Sequence, residues 1–373
     1  MTINNRIEGV FHLTRPLHCA SPDKSLVKGD NDNETPTMQM RMVTPSGGLQ
    51  TIPYFPGNDL RGRLRRKAAN LLLDRITVAG KVKMELYAGL TCGSISASPD
   101  SAGLTVEEAL RARDNVYMGL FGGGARLLRS RYRVADLVPI LADTVDLGMV
   151  PSRYAEIESG QRRFLPMAGT QDGQKAISGW QLIQNTTIFR IDDVLRVLRP
   201  EELETYLSNT DEVTRYQTEI LSAQTTRKYE KKQAKAGEIK NGEISKKQGV
   251  GNMAAFQSII AGTPMYFQLD LSDDASDAHV GLMLLSLQSL VREQAIGGWT
   301  RAGLGQFTAD LTLVRHGESM TVFDKSLAAA DATLSGATAQ FVSEADTAMC
   351  KIKADDMMAF FVPRGDGDEK AAA

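Results

Sequence analysis

The spacing of apolar side chains divides the chain into strands and helices. Apolar residues within 6–17 predict a first strand, and weak alternation over 38–43 predicts a second. From Leu60 onward, apolar residues recur every three or four positions, which is typical of an amphipathic helix. Asn58 or Asp59 is predicted to cap the N-terminus of this helix, because either side chain accepts hydrogen bonds from free amides of the first turn.

The middle and the end of the chain add further elements. Residues 105–113 predict a short helix, and residues 130–138 predict a strand. The clearest signals lie in the last third, where alternating strands at 265–271 and 307–313 flank a helix predicted over 280–295. This order of strand and helix predicts an α+β fold, with two βαβ-like halves that form a ferredoxin-like core with insertions.

The composition is that of an ordinary globular protein, since 42% of the 373 residues are hydrophobic and 24% are charged. The N-terminal residues lack a signal peptide, and no run is apolar enough for a membrane span. We therefore expect a cytoplasmic protein without a membrane partner. The three cysteines, Cys19, Cys92 and Cys350, are isolated, so no disulfide framework, metal site or cofactor is expected.

Charge is distributed unevenly, although the net charge is only −2. Residues 61–83 contain eight basic residues and one aspartate, and residues 227–247 contain eight basic residues and three glutamates. Residues 310–373 contain eleven acids and six bases. Such segregation is typical of a protein that binds a polyanion on one surface. Cations are slightly unfavourable at a helix N-terminus, so the arginines that follow Leu60 favour phosphate contact over a solvated basic face.

A second basic segment, residues 225–252, is dense in charge and interrupted by glycine. It has too few large apolar residues to form a core. The segment predicts either an insertion without a role or a mobile basic arm that closes over a nucleic-acid strand. In the second case, Met253 or Phe256 would wedge against a base.

A glycine-rich loop at residues 297–306 precedes the last predicted strand. Amides in such a loop can face phosphate, Arg301 adds a positive charge, and Trp299 offers a plane on which a base can stack. The alternative is that Trp299 only covers the core.

Five short motifs occur along the chain. They are the segments 52–65 (IPYFPGNDLRGRLR), 120–122 (LFG), 131–136 (RYRVAD), 260–263 (IAGT) and 297–307 (GGWTRAGLGQF). Together they resemble the RAMP superfamily of CRISPR proteins, in particular the backbone subunit that repeats along the guide RNA in class 1 effector complexes. The lysine-rich insertion, a long mid-chain helical segment and cysteines without a zinc pattern are most similar to the type IV backbone subunit.

This resemblance implies a hand-shaped molecule with an RRM-like palm, a helical finger insertion and an extended thumb hairpin. Residues 1–80 would form the first half of the palm, and residues 81–207 the fingers with a returning palm strand. Residues 208–258 would form a basic thumb and residues 259–315 the second half of the palm. Residues 316–373 would form an acidic C-terminal segment with a flexible end.

The resemblance also implies partners and RNA contacts. Copies of the chain are expected to polymerise as a helical filament along a CRISPR guide RNA, with other effector subunits, and to present the guide to target DNA or RNA in antiviral defence. Because guide sequences vary, we expect contacts with phosphate and ribose. We also expect a non-catalytic role. The residues expected to contact RNA are Asn58, Arg61, Arg63, Arg65, Arg66, Arg126, Arg129, Arg131, Lys228, Lys231, Lys232, Met253, Phe256, Gly297, Gly298, Trp299 and Arg301.

An enzymatic hypothesis is the alternative. Some type III relatives cut target RNA with a loop aspartate, and guide-processing relatives use histidine as a general acid or base. Asp30, Asp32 and His18 are the candidates here for a target- or guide-RNA endoribonuclease, although a Gly-Gly-x-Asp context is absent. A third hypothesis is a ferredoxin-like protein that binds a small acidic ligand at the glycine-rich loop.

Overall fold

A computed structural model of the chain describes residues 5–23, 34–44, 47–93, 105–124, 128–154, 177–191 and 251–361. Its strands are β1 (Asn5–Leu13), β2 (Glu34–Thr35), β3 (Gln39–Val43), β4 (Leu49–Pro53), β5 (Tyr132–Val134), β6 (Val138–Pro139), β7 (Ile183–Ile191), β8 (Gly251–Ile259), β9 (Pro264–Leu271), β10 (Phe307–Arg315) and β11 (Glu318–Thr321). Its α-helices are α1 (Gly57–Ile76), α2 (Met84–Cys92), α3 (Val106–Asp114), α4 (Val116–Phe121), α5 (Ala142–Asp146), α6 (Asp277–Glu293), α7 (Ala339–Cys350) and α8 (Ala354–Phe361). None of these helices combines the length and the apolar character that crossing a membrane requires.

Six strands form one antiparallel sheet in the order β11–β10–β1–β9–β5, and β6 also pairs with β9. The Phe11 ring of the central strand β1 stacks on the rings of Phe267 and Phe307, with ring centroids 4.9 and 4.5 Å away. Helices α1 and α6 pack against each other, α1 also packs against β5, and α6 also packs against β10. Strands and helices therefore share one core, and the predicted α+β class is confirmed.

Helix α1 begins earlier than predicted, and its predicted N-caps are wrong. The N-cap position is Pro56, so Asn58 and Asp59 lie exposed inside the first turn. The free amide of Gly57 donates instead to Oδ1 of Asp136, at 2.7 Å. This carboxylate, 79 residues away in sequence, satisfies one of the four free amides at the start of the helix and complements the helix dipole.

Two predicted strands differ from the observed ones. Residues 38–43 correspond to β3, which pairs with β4 in a separate two-stranded sheet. The strand predicted over 130–138 divides into β5 and β6. The division occurs because Leu137 leaves the sheet to exchange two backbone hydrogen bonds with Phe55, at 2.8 and 3.0 Å.

Contacts along the chain define two compact units. The first contains residues 1–31, 35–185 and 257–373, and it includes the six-stranded sheet. The second contains residues 32–34 and 186–256, and its described part contributes to a three-stranded sheet in the order β2–β8–β7. Most of the predicted thumb lies outside the described residues, so its boundaries stay a prediction.

His279 links the start of α6 to the pH dependence of stability. It occupies the third position of the helix, where Nδ1 accepts a hydrogen bond from the Ser276 amide at 3.1 Å. Burial, and secondly the nearby Arg131 charge, lower the pKa of His279 to about 4, while the Asp274 charge acts in the opposite direction. Burial also lowers the pKa of His12 and of His18.

We expect the protein to lose stability as the pH falls from 6.5 towards 4. In that window the unfolded chain binds a proton at residue 279 that the folded chain excludes. The free energy of unfolding therefore decreases as the pH decreases. His279 alone should account for about 1.5 kcal/mol between pH 6.5 and 5. Urea unfolding at both pH values tests this. The variant His279→Gln keeps a side chain suited to the capping box and should lose part of the pH dependence; an unchanged pH dependence would contradict the assignment.

Candidate nucleic-acid interface

The glycine-rich loop lies directly against the first turns of α1. The guanidinium of Arg63 donates to the carbonyl oxygens of Ala295 at 3.0 Å and of Gly297 at 2.7 Å. Burial of this guanidinium lowers the pKa of Arg63. Arg63 therefore acts as a fixed connection between helix and loop, which leaves it fewer donors for a ligand.

A short segment after β1 completes the junction. The Gly298 amide donates to the His18 carbonyl oxygen at 2.8 Å, and the Gly305 amide donates to the Pro16 carbonyl oxygen at 2.7 Å. On the helix side, the Cys19 thiol donates to Oδ2 of Asp59 at 3.4 Å. Burial, followed by the Asp59 charge, raises the pKa of the Cys19 thiol to about 12, so Cys19 stays protonated at neutral pH.

We call the surface formed by Arg63, Arg66, Gly297, Gly298, Trp299 and Arg301 the loop–helix surface. Arg66 and Arg301 are exposed, and neither forms an ion pair within the described ranges. Trp299 is half-buried and adopts a left-handed backbone conformation with φ of 58°. Exposed guanidinium groups suit phosphate, and an indole suits a stacked base.

Three other cations of α1, Arg65, Lys67 and Arg75, have partners inside the molecule. Arg65 donates to the carbonyl oxygens of Phe121 and Gly122, and its guanidinium lies 5.7 Å from the centroid of the Phe121 ring. Lys67 pairs with Glu293, and Arg75 pairs with Asp346. Much of the positive charge of this helix is therefore already bound to backbone carbonyls and carboxylates.

The structure does not bring all predicted RNA contacts to one place. Residues two apart on a helix point about 200° from each other, so Arg61 and Arg63 face different sides of α1. Asn58 and Arg61 line a separate cleft with Arg129 and Arg131. That cleft also contains two arginines that are not among the predicted contacts, Arg113 and Arg133. The alternation of Arg129, Arg131 and Arg133 along the sequence indicates that Arg133 shares a face with the first two.

Several other predicted contacts have a different status. Arg126, Lys228, Lys231 and Lys232 lie outside the described residues. Met253 lies in β8, and Phe256 in the same strand is 1% exposed. Burial of this ring does not favour the predicted role of Phe256 as a wedge between bases.

The nuclease candidates show no assembled centre in the described part of the chain. Asp30 and Asp32 lie outside it. His18 is buried, with Nδ1 2.6 Å from the Gln257 carbonyl oxygen, and burial lowers its pKa. No group of three or more His, Cys, Asp or Glu side chains among the described residues is placed to hold a metal ion.

Comparison with solved structures finds chains of similar fold. A chain described as "Type IV-B CRISPR Complex" is similar to this chain with a TM-score of 0.43 and 14% sequence identity, and the match covers 82% of this chain and 90% of that chain. No family profile matches the sequence, and no curated protein matches it. The interpretation of the interface therefore rests on its own residues and geometry.

Proposed function

We propose that this chain is a non-catalytic RNA-binding backbone subunit of a class 1 CRISPR effector complex, of the RAMP type and most like the type IV subunit. In this role it polymerises along a guide RNA, contacts neighbouring copies and other effector subunits, and presents the guide to a target nucleic acid. The five sequence motifs support the proposal, because the first and the last of them lie at the two sides of the loop–helix junction.

The strand order supports an RRM-like palm. In a ferredoxin-like sheet the fourth strand, the first, the third and the second lie side by side, with antiparallel pairing throughout. Strands β10, β1, β9 and β5 have this order, with α1 following β1 and α6 following β9. We assign the residues between α1 and β9, apart from the returning palm strand β5, to the finger and thumb insertions, within the predicted boundaries 81–207 and 208–258.

The observation on which the RNA-binding proposal rests is the position of the glycine-rich loop. Arg63 of α1 donates to the Gly297 carbonyl oxygen, so the loop that carries the exposed Arg301 and the half-buried Trp299 lies against the helix that carries the exposed Arg66. A guanidinium binds phosphate without reading sequence, and an indole stacks on any base. Such contacts suit a guide strand whose base edges must stay free for pairing.

Removing the indole tests the proposal. We expect Trp299→Ala to weaken binding of a fluorescent single-stranded RNA about tenfold, whatever its sequence, because one stacked base is lost. Fluorescence anisotropy measures the affinity. The matched control is Trp180→Ala, which removes the second, exposed tryptophan of the chain and should leave RNA affinity unchanged.

A charge variant and a cleavage assay complete this test. Arg301→Met should weaken RNA binding and reduce the slope of log affinity against log salt by about one. Equal RNA affinity in wild type, Trp299→Ala and Arg301→Met would reject the loop–helix surface. Regularly spaced cuts in a labelled target RNA would reject the non-catalytic role and favour the endoribonuclease.

A further inference from the structure

A cleft of about 990 Å³ lies on another side of α1 from the loop–helix surface. It is formed by the start of α1, the helix α3, the strand β5 with the residues before it, and the end of β9 with the residues that follow it. We call it the arginine cleft. Its charged side chains are Arg61, Arg113, Arg129, Arg131, Arg133, Asp270 and Asp274, five cations against two anions, and no lysine lines it.

Two aspartates hold three of the arginines in position. Oδ2 of Asp274 lies 3.0 Å from both Nη2 of Arg113 and Nε of Arg131. Oδ2 of Asp270 lies 2.8 Å from Nη2 of Arg133. Hydrogen bonding from Ser272 and contact with the arginines lower the pKa of Asp274 to about 2, so this carboxylate is ionised at neutral pH. These ion pairs fix the walls of the cleft before any ligand binds.

The remaining two arginines have no carboxylate partner within the described ranges. Arg129 is exposed. Arg61 lies over the Tyr132 ring, 5.6 Å from its centroid, and reaches Ser130 Oγ only at 3.5 Å. Nε of Arg61 is buried and has no acceptor in the described structure. A buried donor without an acceptor costs about 1–3 kcal/mol, so the guanidinium of Arg61 is incompletely satisfied by the described residues.

The residue types indicate which anion fits. Arginine presents a planar fork of donors that matches two oxygens of one phosphate, whereas lysine offers a point charge. Asn58, Ser130 and Ser272 add neutral polar groups along the same cleft. The cleft has a surplus of three positive charges, which is more than the single negative charge of a carboxylate would neutralise. This surplus suits a ligand with more than one negative charge, such as a nucleotide or a chain of phosphates.

We propose that the arginine cleft is a second phosphate-binding site, centred on Arg61 and Arg129 and separate from the loop–helix surface. The phosphate comes either from the backbone of a nucleic-acid strand or from a free nucleotide. This inference does not require that the loop–helix surface binds RNA, because it rests on different side chains.

The test uses the full chain and two probes: a fluorescent single-stranded RNA of about 12 nucleotides and a fluorescent ATP analogue, each followed by anisotropy. The main variant is Arg129→Glu, because this exposed side chain forms no ion pair with any other described residue. Its matched control is Arg41→Glu, which reverses the charge of an exposed arginine on β3, outside the cleft. Arg61→Met is the second variant, and thermal unfolding verifies that each variant is folded.

We expect Arg129→Glu and Arg61→Met each to lower the affinity for at least one probe by about fivefold or more. The control Arg41→Glu should change the affinity for either probe by no more than about twofold. Weaker RNA binding with a flatter salt dependence identifies a strand backbone as the source of the phosphate. Loss of the ATP analogue with unchanged RNA binding identifies a free nucleotide. If both probes bind both cleft variants as tightly as wild type, the cleft is not a phosphate site.

The two proposals fail in different ways. Unchanged RNA binding by Trp299→Ala and Arg301→Met rejects the loop–helix surface and leaves the cleft result standing. Unchanged binding of both probes by the cleft variants rejects the cleft alone.

Discussion

Replacing Gly297 with alanine is expected to lower the free energy of unfolding by about 3 kcal/mol and to abolish most RNA binding at the loop–helix surface. The residue has a φ of 80°, in the left-handed region. A Cβ atom here would lie 2.4 Å from the His18 carbonyl oxygen and 2.6 Å from Cδ1 of Leu17. The carbonyl belongs to the backbone segment to which Gly298 donates, so it cannot move aside without breaking the junction.

The same loop supplies a matched control. Gly303 has a φ of 82°, but a Cβ atom at this position would meet nothing within 4 Å. Gly303→Ala therefore has the conformational strain, about 1 kcal/mol, without the collision. The difference in the free energy of unfolding between the two variants therefore measures the effect of the close contact between the loop and residues 17–19.

Urea unfolding and RNA anisotropy measure the two effects. We expect Gly303→Ala to retain RNA affinity within about twofold, whereas Gly297→Ala should lose about tenfold or more, because the loop that presents Trp299 and Arg301 is displaced. Equal stability of the two variants would show that the loop does not press against His18 as described. Equal RNA affinity of Gly297→Ala and Gly303→Ala would show that the loop does not contribute to RNA binding.

Replacing Glu8 with alanine should cost about 3 kcal/mol of stability, because it removes one partner of a buried charge network. Glu8 lies on the face of β1 opposite Phe11, and only 3% of its surface is exposed. Its carboxylate accepts a hydrogen bond from the Tyr266 hydroxyl at 3.0 Å and pairs with Arg153, while Arg6 lies 3.8 Å away. Burial, and secondly the Glu8 charge, raise the pKa of Tyr266.

Two variants separate charge from hydrogen bonding. Glu8→Gln keeps an acceptor for the Tyr266 hydroxyl and loses the pairing with Arg153, so a loss of about 1–2 kcal/mol is expected. Tyr266→Phe removes only the hydroxyl and should cost about 1 kcal/mol. Urea unfolding with linear extrapolation measures all three. An Ala variant within about 1 kcal/mol of wild type would mean that rehydration of the exposed Arg153 offsets the lost pair.

The elements that depend on local spacing were predictable from the sequence. Strand β10 alternates buried and partly exposed side chains throughout, and β9 does so from Phe267 onward. Helices α1 and α6 repeat apolar residues every three or four positions. Each pattern is imposed by the backbone geometry of its own element. The α+β class follows from their order. The burial of Glu8 was not predictable, since its partners Tyr266 and Arg153 are distant in sequence.

The fate of the charges at the start of α1 shows where local reasoning ends. Composition and period are local properties, so the amino-acid order alone predicts a helix near Leu60 that carries a dense set of arginines. The partners of those arginines depend on the folded chain: Arg63 bonds to carbonyl oxygens 232 and 234 residues away, and Arg65 to carbonyl oxygens 56 and 57 residues away. A guanidinium binds whichever acceptor the fold brings within reach, so its role as a connection or as a ligand contact is fixed by packing between distant segments.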